Sequence, residues 1–152
     1  MIQEFERYHG IVLRSIIVCA NRPIVIEQMD ERGRINTYII NNEVAVHIKH
    51  SAKRLPPWQF SFSVEHLEEL QELARNARSV WLVLVCGPDG VVSLSLEEFV
   101  SIVEARPGGV TSIRVDRSRR GMYRVYGNSG QLSHAKPKGI AALVQDLSPM
   151  AN

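Results

Sequence analysis

The chain has 152 residues, of which 45% are hydrophobic and 22% charged, and its formal net charge is +2. This length and composition predict one globular domain over residues 1–152. No apolar run reaches the roughly 18 residues that span a bilayer, and the acidic start MIQEFERYHG is unlike a signal peptide. We therefore expect a cytoplasmic protein with no membrane partner, and buried thiols at Cys19 and Cys86 rather than a disulfide.

The charges are unevenly distributed along the chain. Residues 1–104 carry ten Lys or Arg and fourteen Asp or Glu, a net charge of −4. Residues 105–152 carry eight Lys or Arg and two Asp, a net charge of +6. A basic segment of this kind indicates either contact with phosphate groups or a solvated strand face. We therefore distinguish a core from a basic C-terminal hairpin with its tail.

The first half of the chain has the pattern of one helix followed by three strands. Apolar residues recur every three or four positions over residues 4–19, which predicts a helix that ends before Pro23. Short β-rich segments then alternate with turn signals at residues 30–34 and 41–42, which predicts an antiparallel meander. The predicted strands cover residues 23–29, 35–40 and 43–50.

The second half combines a central strand with further helices and hairpins. A serine N-cap and a leucine pattern predict a helix over residues 64–77, and the apolar run VWLVLVCG (80–87) predicts a strand buried on both faces. Ser95 and Glu98 have capping-box spacing before a short helix. The remaining predicted segments are an extended aromatic stretch at 58–62, a hairpin partner at 91–96, strands at 111–117 and 122–127, and a helical turn at 139–147.

This order of elements predicts an α/β (α+β) fold. We expect a mixed β-sheet with an α-β-β-β-α-β core, helices packed on the sheet, and an extra C-terminal β-hairpin. In the third strand, EVAVHIKH, side chains alternate between two faces, so His47 and Lys49 share one face with Ala45.

The element order over about residues 4–86 resembles the common core of the restriction-endonuclease-like, or PD-(D/E)XK, superfamily. This order is helix, three-strand meander, helix and buried strand. The resemblance implies phosphodiester hydrolysis with Mg²⁺ or Mn²⁺, held by an Asp on the second strand and an acid-x-Lys motif on the third. The family's lysine matches Lys49, and its strand-three acid matches His47. The strand-two Asp matches Asn36 or Thr37, and the first-helix acid matches Glu6 or Glu4.

These matches lack the carboxylates that hard Mg²⁺ requires, because a neutral imidazole brings no negative charge. We therefore expect a degenerate site with no metal and no cofactor. The alternative is an active nuclease that depends on Mg²⁺ or Mn²⁺, in which Glu27 or Asp30 supplies the missing metal-binding carboxylate. The stretches IKHSAKRLPPWQFSF and LVLVCGPDGVVSLSLEE also resemble a bacterial family of unassigned function, which implies no residue roles.

Basic side chains suggest a partner. Lysine and arginine that replace counterions on phosphates give nucleic-acid affinity, so we expect DNA or RNA as the partner. We expect Arg114 and Arg124 to face each other across the hairpin, and Trp58, Phe60 and Phe62 either to fill the core or to stack bases. The alternative is a protein-interaction module or homodimer that uses hairpins 80–96 and 111–127. The candidate nucleic-acid-binding residues are Lys53, Arg54, Arg114, Arg117, Arg119, Arg120 and Arg124.

Overall fold

The computed structural model describes residues 1–29, 36–106 and 108–149. It is an α+β protein with two β-sheets, in agreement with the predicted fold class. The elements in chain order are α1 Glu4–Ala20, β1 Ile26–Gln28, β2 Thr37–Ile40, β3 Val44–Ser51, β4 Trp58–Phe62, α2 Val64–Asn76, β5 Ser79–Cys86, β6 Gly90–Ser95, α3 Leu96–Ile102, β7 Thr111–Arg117, β8 Tyr123–Tyr126 and α4 Ala141–Gln145.

The large sheet has the strand order β1-β2-β3-β5-β6. Strands β1 to β3 form the predicted antiparallel meander, β5 lies parallel to β3, and β6 returns antiparallel to β5. Asn41 and Asn42 adopt left-handed backbone angles in the turn between β2 and β3, as their residue type predicts. The turn predicted at residues 30–34 lies outside the described residues.

The small sheet has the order β4-β7-β8 and contains the predicted C-terminal hairpin. The aromatic stretch 58–62 is a full strand that pairs with β7, with Trp58 opposite Val115. The C-terminal hairpin is therefore not an appendage to the large sheet. Trp58, Phe60 and Phe62 are at most 2% exposed, so they fill the core and do not stack bases.

Two hydrophobic cores lie on opposite faces of the large sheet. On one face, Val44, Val46 and Ile48 pack with α1 and α4. On the other face, Ala45 packs with α2, α3 and the inner side of the small sheet. Side chains alternate between the two faces of a strand, so His47 and Lys49 lie on the same face as Ala45 and point toward the small sheet. Both faces of β5 are covered, which explains its continuous apolar sequence.

The helix caps and the burial of Cys86 agree with the predictions from the sequence, whereas the exposure of Cys19 does not. Ser63 and Ser95 each begin a helix with a capping box. Cys86 is a buried free thiol, as expected, but Cys19 is an exposed free thiol because α1 turns His9, Val12 and Ile16 inward instead. Within the described part of the chain, no helix combines the length and apolar character needed to cross a bilayer.

Candidate nucleic-acid interface

His47 lies in the interior between the two sheets. It is 3% exposed, and its Nδ1 lies 3.0 Å from the Thr37 hydroxyl, the residue opposite it on β2. Its Nε2 is buried and has no hydrogen-bond partner among the described residues. Burial lowers the pKa of His47 to about 3, and the charges of Lys49 and His66 act in the same direction. The imidazole is therefore neutral at physiological pH.

Lys49 joins β3 to the strand that covers it. Its ammonium donates a hydrogen bond to the main-chain carbonyl of Ser61 and lies 4.5 Å from the ring centroid of Phe62. Burial also lowers the pKa of this lysine. Its charge is therefore engaged inside the protein, where a carbonyl dipole and an aromatic face compensate for lost water.

Of the other residues matched to the endonuclease site, Thr37 contacts His47, whereas Asn36 and Glu6 do not converge on His47 and Lys49. Asn36 precedes β2, and its carbonyl accepts a hydrogen bond from the Ile48 N–H at 2.9 Å. Glu6 is exposed on α1, which packs against the opposite face of the large sheet. In the residues that the structure describes, no three His, Cys, Asp or Glu side chains are grouped to hold a metal ion.

Glu27, one of the two acids expected as alternative metal ligands, also does not converge on His47. Glu27 lies opposite Ile39 of β2. Ile39 is two residues along β2 from Thr37, which lies opposite His47. Strand geometry places the Cα atoms of Glu27 and His47 about 12 Å apart, too far for both to bind one ion. Asp30, the other predicted substitute, lies outside the described residues.

Two of the predicted phosphate-binding residues are engaged within the protein. Arg117 forms an ion pair with Asp89 at 2.7 Å and donates from Nε to the carbonyl oxygen of Gly121 at 2.7 Å. The ammonium of Lys53 donates to the carbonyl oxygen of Pro57 at 3.0 Å. Arg54, Arg119 and Arg120 are exposed.

The outer face of the small sheet carries the remaining basic side chains. Arg114 and Arg124 are exposed because alternate residues of β7 and β8 point away from the core. The predicted pairing of the two arginines is wrong by two residues, since Arg114 lies opposite Tyr126 and Arg124 lies opposite Asp116. The offset places the Arg114 guanidinium 4.5 Å over the Tyr126 ring centroid. Asp116 contributes one carboxylate beside these cations.

A groove of about 500 Å³ runs along this outer face. Arg114 and Tyr126 form one part of it, and Gln59 extends it across β4, directly opposite Arg114. Its volume is within the range of about 300–1,000 Å³ typical of small-molecule sites, so it is large enough for a nucleotide. Further lining residues are Ser112, Gly127, Asn128, Gly130 and Gln131.

One groove residue has a structural role. The Asn128 amide exchanges two hydrogen bonds of 2.7 Å with the main chain of Glu104, which fixes the loop after β8.

Sequence reasoning missed Tyr126 and Gln59 as candidates for this face. The available signal was the alternation in TSIRVDR and MYRVYG, which directs Tyr126 to the same side as Arg124.

No protein-family model, no curated protein and no solved structure matches this chain. The interpretation of the site therefore depends on its own geometry.

Proposed function

We propose that this protein binds single-stranded nucleic acid on the outer face of its small sheet and that its nuclease-like core does not cleave the strand. The observation that carries the proposal is the Arg114 guanidinium, 4.5 Å over the Tyr126 ring centroid, in a nucleotide-sized groove on the outer sheet face. Aromatic rings and guanidinium planes on a sheet surface are the usual platforms for unpaired bases.

Charge near this platform supports the same proposal. Arg124 lies on the neighbouring strand, and Arg119 and Arg120 extend the positive charge to the end of the hairpin. Guanidinium groups contact phosphate oxygens in pairs and displace condensed counterions, which supplies sequence-independent affinity. A base on Tyr126 therefore has cationic groups within reach of its flanking phosphates.

The absence of cleavage is proposed from the interior of the fold. The element order on which the superfamily resemblance rests is present as α1, the meander β1-β2-β3, α2 and β5, and it supports the proposal of a nuclease-like core. The acid position, however, holds the neutral, buried His47, and Lys49 is engaged with Ser61. A metal-bound phosphate would need carboxylates and open space there.

Fluorescence anisotropy tests the binding proposal. Labelled single-stranded DNA, single-stranded RNA and a duplex of the same sequence are titrated at about 50 mM and about 200 mM salt, a range over which phosphate contacts weaken strongly. We expect both single strands to bind more tightly than the duplex. Because stacking contributes about 1–3 kcal/mol per base, Arg114→Ala should weaken binding by about fivefold or more.

A matched control separates the platform from general charge. Arg7 is exposed on α1, on the other side of the large sheet, so Arg7→Ala removes the same charge at a distance from the groove. We expect wild-type affinity for this variant. Equal losses from Arg7→Ala and Arg114→Ala, or no binding at low salt, would contradict the proposal. Incubation with Mn²⁺ should leave the strands intact.

A second candidate function is self-association through α1. This helix exposes Ile11, Ile17 and Val18 on its outer side. The hairpin 80–96, which we expected to contact a partner, is largely buried within this chain and offers little surface. Sedimentation velocity tests this candidate: a dimer that Val18→Lys dissociates would support it, whereas a monomer at all concentrations would exclude it.

A further inference from the structure

A second pocket, of about 470 Å³, lies at the end of the β7–β8 hairpin. One side is the turn that contains Arg119 and Arg120, and the opposite side is Leu55 and Pro56 in the loop after β3. Arg117 also lines this pocket beside Asp89. Three arginines and one aspartate thus line one cavity, so its lining side chains carry a net charge of +2.

The arginine beside Asp89 is held in a fixed position. The Arg117 guanidinium is tied to Asp89 at 2.7 Å, and its Nε is tied to the carbonyl oxygen of Gly121. Asp89 also accepts a hydrogen bond of 2.6 Å from the Tyr123 hydroxyl. Because Asp89 compensates the charge of Arg117, this residue forms a fixed wall of the pocket, and the charge available to an anion comes from Arg119 and Arg120.

Arg120 has a backbone conformation that does not favour arginine. Its φ is 62°, in the left-handed region, and the other described non-glycine residues with positive φ are all asparagines. Asparagine tolerates this conformation more readily than arginine does. An arginine at this position costs folding energy, which is typical of residues retained for a binding role.

The pocket also has an apolar side. Leu55 is 66% exposed, although it lies beside charged groups. A pocket lined by an exposed leucine and by arginines suits a ligand that has an anionic group for the arginines and a less polar part for the leucine. A nucleotide has this chemistry, because its sugar and base adjoin its phosphate.

We propose that this pocket binds the phosphate monoester of a nucleotide, presented at the end of a strand that lies on the outer face. The inference rests on the proposed function. Arg114 and Arg117 lie on opposite faces of β7 with their Cα atoms about 10 Å apart, so the end of the bound strand passes around the end of the hairpin to reach the pocket. A monoester carries nearly two negative charges at neutral pH, whereas each phosphodiester carries one. The uncompensated charges of Arg119 and Arg120 therefore favour a phosphorylated end over an internal linkage or a hydroxyl end.

The test compares three short oligonucleotides of one sequence, with a 5′-phosphate, a 3′-phosphate or hydroxyl groups at both ends. We expect one phosphorylated oligonucleotide to bind the wild-type protein about tenfold more tightly than the dihydroxyl one, since charge-assisted hydrogen bonds contribute this much. Arg120→Asn should remove this difference, and it should weaken the dihydroxyl oligonucleotide only by the small factor that the loss of one general phosphate contact causes. Because asparagine suits a left-handed position, this variant should also unfold at a higher temperature, which excludes misfolding as the cause.

Arg114→Ala is the matched comparison, because it should weaken all three oligonucleotides by the same factor. Equal wild-type affinity for the three would overturn the pocket and leave the proposed function intact. If no oligonucleotide binds, the proposed function fails, and the pocket is then tested by titration with adenosine monophosphate against adenosine. Binding of the monophosphate alone, lost in Arg120→Asn, would support the pocket, and binding of neither would overturn it.

Discussion

Mild acid should destabilise this protein because β3 buries a neutral imidazole. His47 is 3% exposed, and burial lowers its pKa from 6.5 to about 3. In the unfolded chain the same imidazole binds a proton near pH 6.5. The unfolded state therefore takes up more protons as the pH falls, so stability is fully present above pH 6.5 and decreases as the pH falls toward 3.

The magnitude follows from this difference in pKa. Between about pH 7 and about pH 5, His47 should remove about 2 kcal/mol from the free energy of unfolding, since each pH unit below the unfolded pKa corresponds to about 1.4 kcal/mol. Burial also lowers the pKa of His9 and of His66, which adds to the loss in the same direction. Ordinary carboxylates remain ionised in both states above about pH 5, so this range isolates the histidines.

Urea unfolding at several pH values measures the effect. The double variant Thr37→Val/His47→Leu replaces both hydrogen-bonding partners with apolar groups, so it should retain stability near neutral pH. Between about pH 7 and about pH 5 it should lose about 2 kcal/mol less than the wild type. Gln71→Leu, at an exposed position, removes no titratable group and should keep the wild-type pH dependence. An unchanged pH dependence in the double variant would refute the assignment of a neutral, buried His47.

Three further substitutions test local features of the fold. Arg120→Asn should raise Tm by about 2 °C by relieving left-handed strain; an unchanged or lower Tm in a thermal melt would contradict this. Tyr123→Phe removes the hydroxyl that donates to Asp89 at 2.6 Å, and should lower the free energy of unfolding by about 1–2 kcal/mol in urea. Gly87→Ala should cost at least about 2 kcal/mol, because φ is +52° and a Cβ would lie 2.1 Å from a carbonyl oxygen. Gly10→Ala, where a Cβ meets nothing within 4 Å, is the control and should be neutral or stabilising.

Local sequence patterns predicted most elements of the fold because those elements depend on neighbouring residues. The continuous apolar run of β5 predicted a strand covered on both faces, and the Ser95 and Glu98 spacing predicted the start of α3. The pairing of β4 with β7 joins residues 49 to 57 positions apart, and no local pattern specifies it. For this reason the aromatic stretch at 58–62 was predicted as extended but was not assigned to a sheet.

The site residues were harder to predict, because their roles depend on distant partners. The identity of His47 and Lys49 was visible in the sequence, but their burial depends on β4 lying over β3. Arg117 belonged to the predicted basic cluster, yet Asp89, 28 residues earlier, engages it. The two-residue offset between β7 and β8 depends on the hairpin turn, and it pairs Arg114 with Tyr126 instead of Arg124.

The central claim is that a single strand lies on the outer face of the small sheet. Two-dimensional NMR of the labelled protein, recorded during titration with a short single-stranded oligonucleotide, tests it most directly. We predict that the largest shifts occur at the amides of Gln59, Arg114 and Tyr126, whereas the amides of α1 remain unchanged. Shifts concentrated on α1, or no shifts on β7 and β8 at saturating oligonucleotide, would contradict the claim.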